Sequence, residues 1–220
     1  MSPYPSTKSQ FALLSDAQKK TLEKIPHLED IEGWLLLCEA VELFDLANRI
    51  DSVNPVICEI GSWKGKSAYV FASALKDKEG ILFAIDPFTG EGDGASEETY
   101  KADINKLDVP LKNNFIQTMD KYNLMKYIKI LPFRSEEARS KFNYDKIDLL
   151  FIDGNHEYEF VKKDYDLWSP LLISGGSIIL HDVKARHVTG PKLVFQECIA
   201  GNTVWKNVRI IGEMVVAEKG

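Results

Sequence analysis

The sequence is poor in cysteine and has no long apolar run. Three of its 220 residues are cysteines, Cys38, Cys58 and Cys198, and their odd number and apolar neighbours predict reduced core thiols. The longest apolar stretches, such as residues 34–38 and 178–180, are far too short to span a bilayer. Residues 1–10 lack the charged-then-apolar layout of a signal peptide. We therefore expect a cytoplasmic protein with no membrane association.

A surplus of basic residues is also missing. The chain has 27 Lys and Arg against 33 Asp and Glu, a formal net charge of −6, and its basic residues are scattered. Nucleic-acid partners are therefore not expected. A length of 220 residues and a hydrophobic content of 45% suit one α/β domain with additions.

Short apolar runs alternate with helix-like stretches through most of the chain, which predicts a mostly parallel sheet covered by helices on both faces. The predicted strands are residues 56–60, 81–85, 127–131, 147–152 and 176–181. The predicted helices between them are residues 66–76, 110–123, 135–140 and 157–169. Residues 204–211 and 212–217 are two further strands with no helix between them, so one strand is expected to be antiparallel.

The N-terminal quarter of the chain is organised differently. We predict a flexible tail over residues 1 to about 14, a short helix capped by Ser15, and an amphipathic helix over residues 33–50. Pro55 then separates these elements from the first strand. The predicted organisation is an N-terminal tail and helical extension, residues 1–54, followed by a catalytic domain, residues 55–220.

The turn after the first predicted strand has nucleotide-binding character. Gly65-Lys66-Ser67 resembles the end of a phosphate-binding loop, but the first glycine of that motif falls on Ile60. The dinucleotide fingerprint fails as well, because Trp63 stands where its second glycine is required. Glu59 precedes the turn, and a carboxylate there repels phosphate and favours an ammonium group. The turn therefore suits a phosphate-free, ammonium-bearing cofactor.

The second predicted strand ends in Asp86, whose carboxylate can accept hydrogen bonds from both hydroxyls of a ribose. The longest irregular stretch, residues 88–103, follows directly. Two interpretations stay open for it: a lid over the bound ligand, or a surface insertion without a function.

Several motifs together resemble the class I S-adenosylmethionine-dependent methyltransferases. They are E-G-W-L at 32–35, E-I-G-S-W-K-G-K-S at 59–67, A-I-D-P-F at 84–88, F-I-D-G-N-H-E-Y-E-F-V-K-K-D at 151–164 and P-L-L-I-S-G-G-S-I-I-L-H-D-V at 170–183. The resemblance spans residues 30–217. It is to a bacterial subgroup that includes O-methyltransferases acting on sugars and macrolides, and cephalosporin-pathway methylation proteins. It implies a Rossmann-like, seven-stranded sheet of order 3-2-1-4-5-7-6 with strand 7 antiparallel.

The resemblance also implies which residues bind S-adenosylmethionine. These residues are Glu59, Gly61, Ser62, Gly65, Ser67, Asp86, Arg134, Ser135 and Asp153. Glu59, Gly61, Gly65 and Ser67 line the methionine end. Asp86 binds the ribose, and Arg134 and Ser135 contact the adenine. Ser135 has a second interpretation as a helix N-cap.

Candidate catalytic residues follow the fourth and fifth predicted strands. These are Asp153, His156 and His181, with His156 as the natural general base. Asp153, His181 and Asp182 form a candidate triad for a divalent metal, Mg²⁺ or Mn²⁺. Metal-dependent members of the family have oxygen ligands where this chain has His181. A metal-free site in which His181 is the base therefore stays open.

The predicted function is methylation of a hydroxyl of a sugar, glycoside or other small metabolite. Two alternatives from other classes remain: a nicotinamide-dependent Rossmann oxidoreductase, and a non-catalytic cofactor-binding protein of the same fold. The sequence leaves N-methylation open and does not name the acceptor. The N-terminal helices are expected either to form a homodimer or to cap the site of their own subunit.

Overall fold

A seven-stranded sheet forms the centre of the protein. The computed structural model describes residues 6–220. The strands are β1 (Val56–Ile60), β2 (Ile81–Ile85), β3 (Ile128–Leu131), β4 (Ile147–Ile152), β5 (Leu172–Leu180), β6 (Trp205–Ile211) and β7 (Met214–Lys219). Their order is β3-β2-β1-β4-β5-β7-β6, and β7 runs antiparallel to both of its neighbours. The predicted topology is confirmed.

Helices cover both faces of this sheet, as predicted. They are α1 (Thr7–Ala12), α2 (Asp16–Leu22), α3 (Leu37–Arg49), α4 (Lys66–Ala74), α5 (Glu97–Ile104), α6 (Leu111–Lys121), α7 (Ser135–Lys141), α8 (Tyr158–Trp168) and α9 (Gly190–Val194). Successive residues of β1 explain the two layers: Ile57 joins the core under α3, α4 and α6, and Cys58 joins the core under α7 and α8.

The structure differs from the predicted elements in several segments, and α9 lies where no helix was predicted. The predicted tail contains α1, although residues 1–5 lie outside the described part of the chain. The helix predicted from residue 33 begins at Leu37, which leaves residues 33–36 as irregular backbone. The irregular stretch 88–103 contains most of α5.

The N-terminal helices share a core with the sheet. Leu14, Ile25 and Leu43 are buried in the same apolar cluster as Ile57 of β1. Lys78 caps the C-terminal end of α3, because its ammonium donates to the carbonyls of residues 47, 48 and 50. Cys58 and Cys198 are buried free thiols, and Cys38 is half-buried. Across residues 6–220, no helix combines the length and the apolar character needed to cross a membrane.

Candidate active site

The carboxyl ends of the parallel strands open into a cavity of about 930 Å³. Its walls come from the turns after β1, β2, β4 and β5, the segment 32–35, and the segment 90–100. Most of the predicted site residues meet there: Gly61, Ser62, Ser67, Asp86, Arg134, Ser135, Asp153, His156, His181 and Asp182. Glu59 and Gly65 are not on this wall.

The turn after β1 is tightly built. Gly61, Trp63 and Gly65 all have positive φ, at 91°, 47° and 95°. The N–H of Gly65 donates to the carbonyl of Ser62 across 2.8 Å, which closes the turn just before α4. A Cβ on Gly61 would lie 2.0 Å from the carbonyl oxygen of Asp153. The missing side chain therefore lets the ends of β1 and β4 form one continuous wall.

Glu59 lies beneath this turn rather than on the cavity wall. Its carboxylate is fully buried and accepts a hydrogen bond from the Ser62 hydroxyl at 2.7 Å. Burial raises the pKa of Glu59 to about 8, although hydrogen bonds with Ser62 and Ser67 oppose that shift. Ser62 and Ser67 line the cavity and lie between it and Glu59.

Asp86 is held rigidly at the end of β2. Its carboxylate accepts the backbone N–H of Trp63 at 2.8 Å and that of Phe88 at 2.6 Å. Phe88 also has a positive φ, 53°, so the backbone on both sides of the carboxylate is shaped around it. Burial raises the pKa of Asp86 despite these bonds. Asp86 also lines the cavity.

Three aromatic rings form a wall that the sequence did not reveal. Trp34, Trp63 and Tyr100 lie with ring centroids 4.9 to 6.0 Å apart, and all three line the cavity. Trp34 falls in the segment predicted as helix, and Tyr100 falls in the stretch predicted as irregular. The rings pack on one another, and they also face the ligand space.

His156 stands at the centre of an acidic cluster after β4. Its Nδ1 lies 2.7 Å from Asp93 Oδ2, and its Nε2 lies 3.1 Å from Asp182 Oδ2 and 4.0 Å from Asp153 Oδ1. Burial lowers the pKa of His156, but the three carboxylates outweigh it and raise the pKa well above its usual value. Charged carboxylates at these three positions therefore favour the imidazolium form of His156, in which both ring nitrogens are protonated.

His181 directly follows β5, and its ring lies close to two of the same carboxylates. Its Nδ1 lies 3.2 Å from Asp153 Oδ1 and 3.3 Å from Asp182 Oδ2. Neither contact has hydrogen-bond geometry, so this buried nitrogen has no partner within residues 6–220. Its other nitrogen, Nε2, lies 3.2 Å from Glu39. Asp182 itself has a positive φ, 58°.

The arrangement around His181 fits a bound cation. Ligand atoms of Asp153, His181 and Asp182 all lie within 4.8 Å of one another. When the Nε2 proton of His181 is donated to Glu39, the Nδ1 lone pair points at two anionic oxygens, an unfavourable contact unless a proton or a metal ion lies between them. Two carboxylates and one imidazole suit Mn²⁺ better than Mg²⁺, which prefers oxygen ligands throughout.

Glu39 and Asp93 are functional candidates that the sequence reasoning missed. Glu39 is fully buried on α3, where it accepts the backbone N–H of Leu36 at 2.7 Å and that of Glu213 at 2.7 Å. A carboxylate among the apolar positions of an amphipathic helix was an available signal for it. Asp93 lies in the stretch before α5, and nothing in its sequence context connects it to His156.

The far end of the cavity holds the two predicted adenine residues. Arg134 pairs with Glu91 across 2.7 Å at an exposed position. Ser135 begins α7, and its hydroxyl accepts the indole N–H of Trp168 at 2.9 Å. The Ser135 hydroxyl also bonds Asp164, whose pKa burial raises to about 7. Asp164 lines the cavity and was not anticipated.

The stability of the wild-type protein is expected to fall between mildly acidic and neutral pH, and Asp164→Asn is expected to make this fall smaller. The pKa of this carboxyl is 3.8 in its unperturbed state and about 7 in the fold. Its contribution to stability is therefore complete below the lower value and is lost as the pH rises through the upper one. The test is the melting temperature of both proteins at about pH 5 and about pH 8. Asp166→Asn, an exposed change on α8, is the control; equal pH dependence in all three proteins would rule out Asp164 as the titrating group.

A family model described as a methyltransferase domain matches residues 58–183, which is more than half of the chain. The chain belongs to the class I S-adenosylmethionine-dependent methyltransferases. The resemblance stated from the sequence is thereby confirmed, and the nicotinamide-dependent alternative is left without support.

Curated relatives by sequence include two uncharacterized proteins. An uncharacterized protein of Acanthamoeba polyphaga mimivirus is 28% identical over 144 residues, covering 64% of this chain and 57% of that protein. An uncharacterized protein of Sinorhizobium fredii is 26% identical over 134 residues, covering 59% of this chain and 13% of that protein. The chain thus spans little more than half of the first relative and a small part of the second.

Solved methyltransferase structures share the fold of this methyltransferase. The O-methyltransferase NovP aligns with a TM-score of 0.65 at 15% identity, over 83% of this chain and 80% of that one. The O-methyltransferase TomG from Streptomyces achromogenes, solved with S-adenosylmethionine, aligns at 0.61 and 14% identity over 94% and 90%. A Podospora anserina methyltransferase bound to S-adenosylhomocysteine aligns at 0.59 and 15% identity over 100% and 98%.

Proposed function

We propose that this methyltransferase transfers the methyl group of S-adenosylmethionine to a hydroxyl oxygen of a small molecule, such as a sugar, a glycoside or another metabolite. One observation carries the proposal. The Asp86 carboxylate and the glycine turn lie in the same cavity as the His156 cluster, so a cofactor site and a proton-accepting group meet. Neighbours of the same fold that are named O-methyltransferases support it.

The charge of the cavity favours S-adenosylmethionine over a phosphate-bearing cofactor. Lys66 and Arg134 are the lysine and arginine on its wall, and both are already paired, Lys66 with Glu29 and Arg134 with Glu91. Carboxylates dominate the rest of the wall: Glu32, Asp86, Glu91, Glu97, Glu136, Asp153, Glu157, Asp164 and Asp182. A ligand with an ammonium and a sulfonium group and no phosphate matches this charge.

The chain's own residues would align the reactants and accept a proton. When bound, S-adenosylmethionine supplies an electrophilic methyl group. Asp86 and the turn 61–65 would hold it by the ribose and the methionine end, in the same cavity as Asp153 and His156. The hydroxyl proton passes to Nε2 of His156, the nitrogen on the side of Asp153 and Asp182.

A divalent metal would fit this scheme at Asp153, His181 and Asp182. When bound, it would lower the pKa of the acceptor hydroxyl and neutralise the two carboxylates that keep His156 protonated. Glu39 would orient His181 through Nε2. The base role of His156 and the three-ligand metal site therefore support each other.

Cofactor binding and methyl transfer test the proposal together. We expect S-adenosylhomocysteine to bind in calorimetry, and label from methyl-tritiated S-adenosylmethionine to reach hydroxylated sugars or glycosides in a screen of small molecules. Binding of NADPH without binding of S-adenosylhomocysteine would overturn the proposal. Cofactor binding without transfer to any acceptor class would favour the non-catalytic alternative.

Asp182→Asn is expected to weaken Mn²⁺ binding by about 100-fold or more, because loss of an outer-shell partner alone typically weakens metal sites 10- to 100-fold. Calorimetric titration of the ligand-free protein measures this without reference to activity. Asp166→Asn removes an exposed carboxylate on α8 and serves as the control. If Mn²⁺ binds neither variant nor wild type, the metal-free interpretation with His181 as the base gains support.

A further inference from the structure

We propose that Asp93 is a positioning residue for His156, and that the segment 88–104 sets the imidazole in place when it closes over the cavity. This inference rests on the proposed role of His156 as the general base. The segment connects β2 to the region before α6 and contains α5. Asp93 is the residue through which it reaches the catalytic cluster.

The carboxylate of Asp93 is fixed from two sides. Its Oδ2 lies 2.7 Å from His156 Nδ1, and the Asp93 side chain is only 3% exposed. Its Oδ1 accepts the backbone N–H groups of Ala95 and Ser96, each at 3.0 Å. The same residue therefore shapes the turn that starts α5 and holds the imidazole.

This contact decides which nitrogen of His156 faces the reactants. With Nδ1–H donated to Asp93, Nε2 points towards Asp153 and Asp182 at the strand ends. Without Asp93, the ring is free to rotate and to bond Asp182 through either nitrogen. A base acts only when its accepting nitrogen faces the acceptor proton, so orientation of the ring is a condition for transfer.

The segment 88–104 packs against itself as one unit. A Cβ on Gly92 would lie 2.2 Å from the Tyr100 ring, and a Cβ on Gly90 would lie 1.7 Å from Ile104, so the chain folds tightly back on α5. Tyr100 packs against Trp34 and Trp63 with tilted rings on the cavity wall. Glu91 of this segment pairs with Arg134 at an exposed position, whereas the Asp93–His156 contact is buried. In this arrangement the segment lines the cavity and holds His156 at the same time.

Asp93→Asn tests the positioning role. The asparagine oxygen can still accept from Ala95 and Ser96, but its amide N–H₂ faces Nδ1 and forces the ring proton onto Nε2. We expect kcat to fall by about 100-fold or more, as when a catalytic histidine is held in the wrong tautomer, while the dissociation constant of S-adenosylhomocysteine changes less than about threefold. Glu98→Gln, an exposed change on α5, is expected to leave both unchanged. Equal kcat in Asp93→Asn and Glu98→Gln would overturn the positioning role.

Hydrogen exchange tests whether the Asp93–His156 contact holds the segment 88–104 in place, without any measurement of activity. His156→Ala removes the partner of Asp93 from outside the segment, so we expect amide exchange across residues 95–104 to accelerate by about tenfold or more. Glu98→Gln should leave this exchange at the wild-type rate. Unchanged exchange in His156→Ala would show that this contact does not hold the segment in place, whichever reaction the protein catalyses. Faster exchange together with undiminished turnover in Asp93→Asn would instead contradict the proposed base.

Discussion

His156→Ala is expected to lower kcat by about 10²- to 10⁴-fold, the usual contribution of a general base, while binding of S-adenosylhomocysteine changes little. In the proposed reaction the imidazole would accept the proton, and it contacts Asp93, Asp153 and Asp182, whereas the turn 61–65 and Asp86 would hold the cofactor. Transfer of label to an acceptor identified in the screen gives kcat, and calorimetry gives the affinity.

His27→Ala is the matched control for this experiment. His27 lies outside the cavity, stacked on Tyr122 with ring centroids 4.8 Å apart and paired with Asp30. Its removal should leave turnover unchanged. If His181→Ala abolished turnover and His156→Ala did not, the base would be His181 and the metal-free interpretation would replace the one proposed here.

The sheet could be predicted because its central strands are buried on both faces. β1, β2 and β4 begin and end where their apolar runs do, since every residue of β1 and β4 is buried. β5 begins at Leu172, four residues before its predicted start at 176. Its first residues are partly exposed, Gly175 has a φ of 79°, and the pairing with β4 shifts register there. Local irregularity of this kind leaves no apolar run to recognise.

Two of the helices that were missed, α1 and α5, have no buried face. Neither α1 nor α5 contains a buried residue, so neither shows the apolar stripe from which an amphipathic helix is recognised. α5 forms because Asp93 accepts the N–H groups before its first turn and because Tyr100 packs on the cavity wall. Both causes depend on tertiary structure.

The candidate site was predictable where it follows the strands and not elsewhere. Asp86, Asp153 and Asp182 follow β2, β4 and β5, which are parallel strands of one sheet, and the carboxyl ends of such strands meet at one edge of the sheet. Asp93 and Glu39 reach the two histidines from a loop and from an N-terminal helix. Those contacts join residues 63 and 142 positions apart, a separation that local patterns do not encode.

Gly61→Ala is expected to cost several kcal/mol of stability and to abolish binding of S-adenosylhomocysteine. A positive φ of 91° is strained for alanine, which alone costs about 1–2 kcal/mol. The new Cβ would also lie 2.0 Å from the backbone oxygen of Asp153, a clash that no side-chain movement relieves. Relief requires the ends of β1 and β4 to separate, although the N–H of Asp153 donates to the carbonyl of Ile60 at 2.9 Å.

Gly201→Ala is the control that separates the two costs of Gly61→Ala, the backbone strain at positive φ and the steric clash of the new Cβ. Gly201 also has a positive φ, 72°, but a Cβ there meets nothing within 4 Å. Urea unfolding should therefore show a loss of about 1–2 kcal/mol for Gly201→Ala and a clearly larger one for Gly61→Ala. Only the second should lose the cofactor in calorimetry. Equal losses of stability with binding retained would mean that the close approach of β1 to Asp153 is not what forms the site. The expected difference would instead show that the first glycine of this turn lets two strand ends, one for the cofactor and one for the chemistry, share a wall.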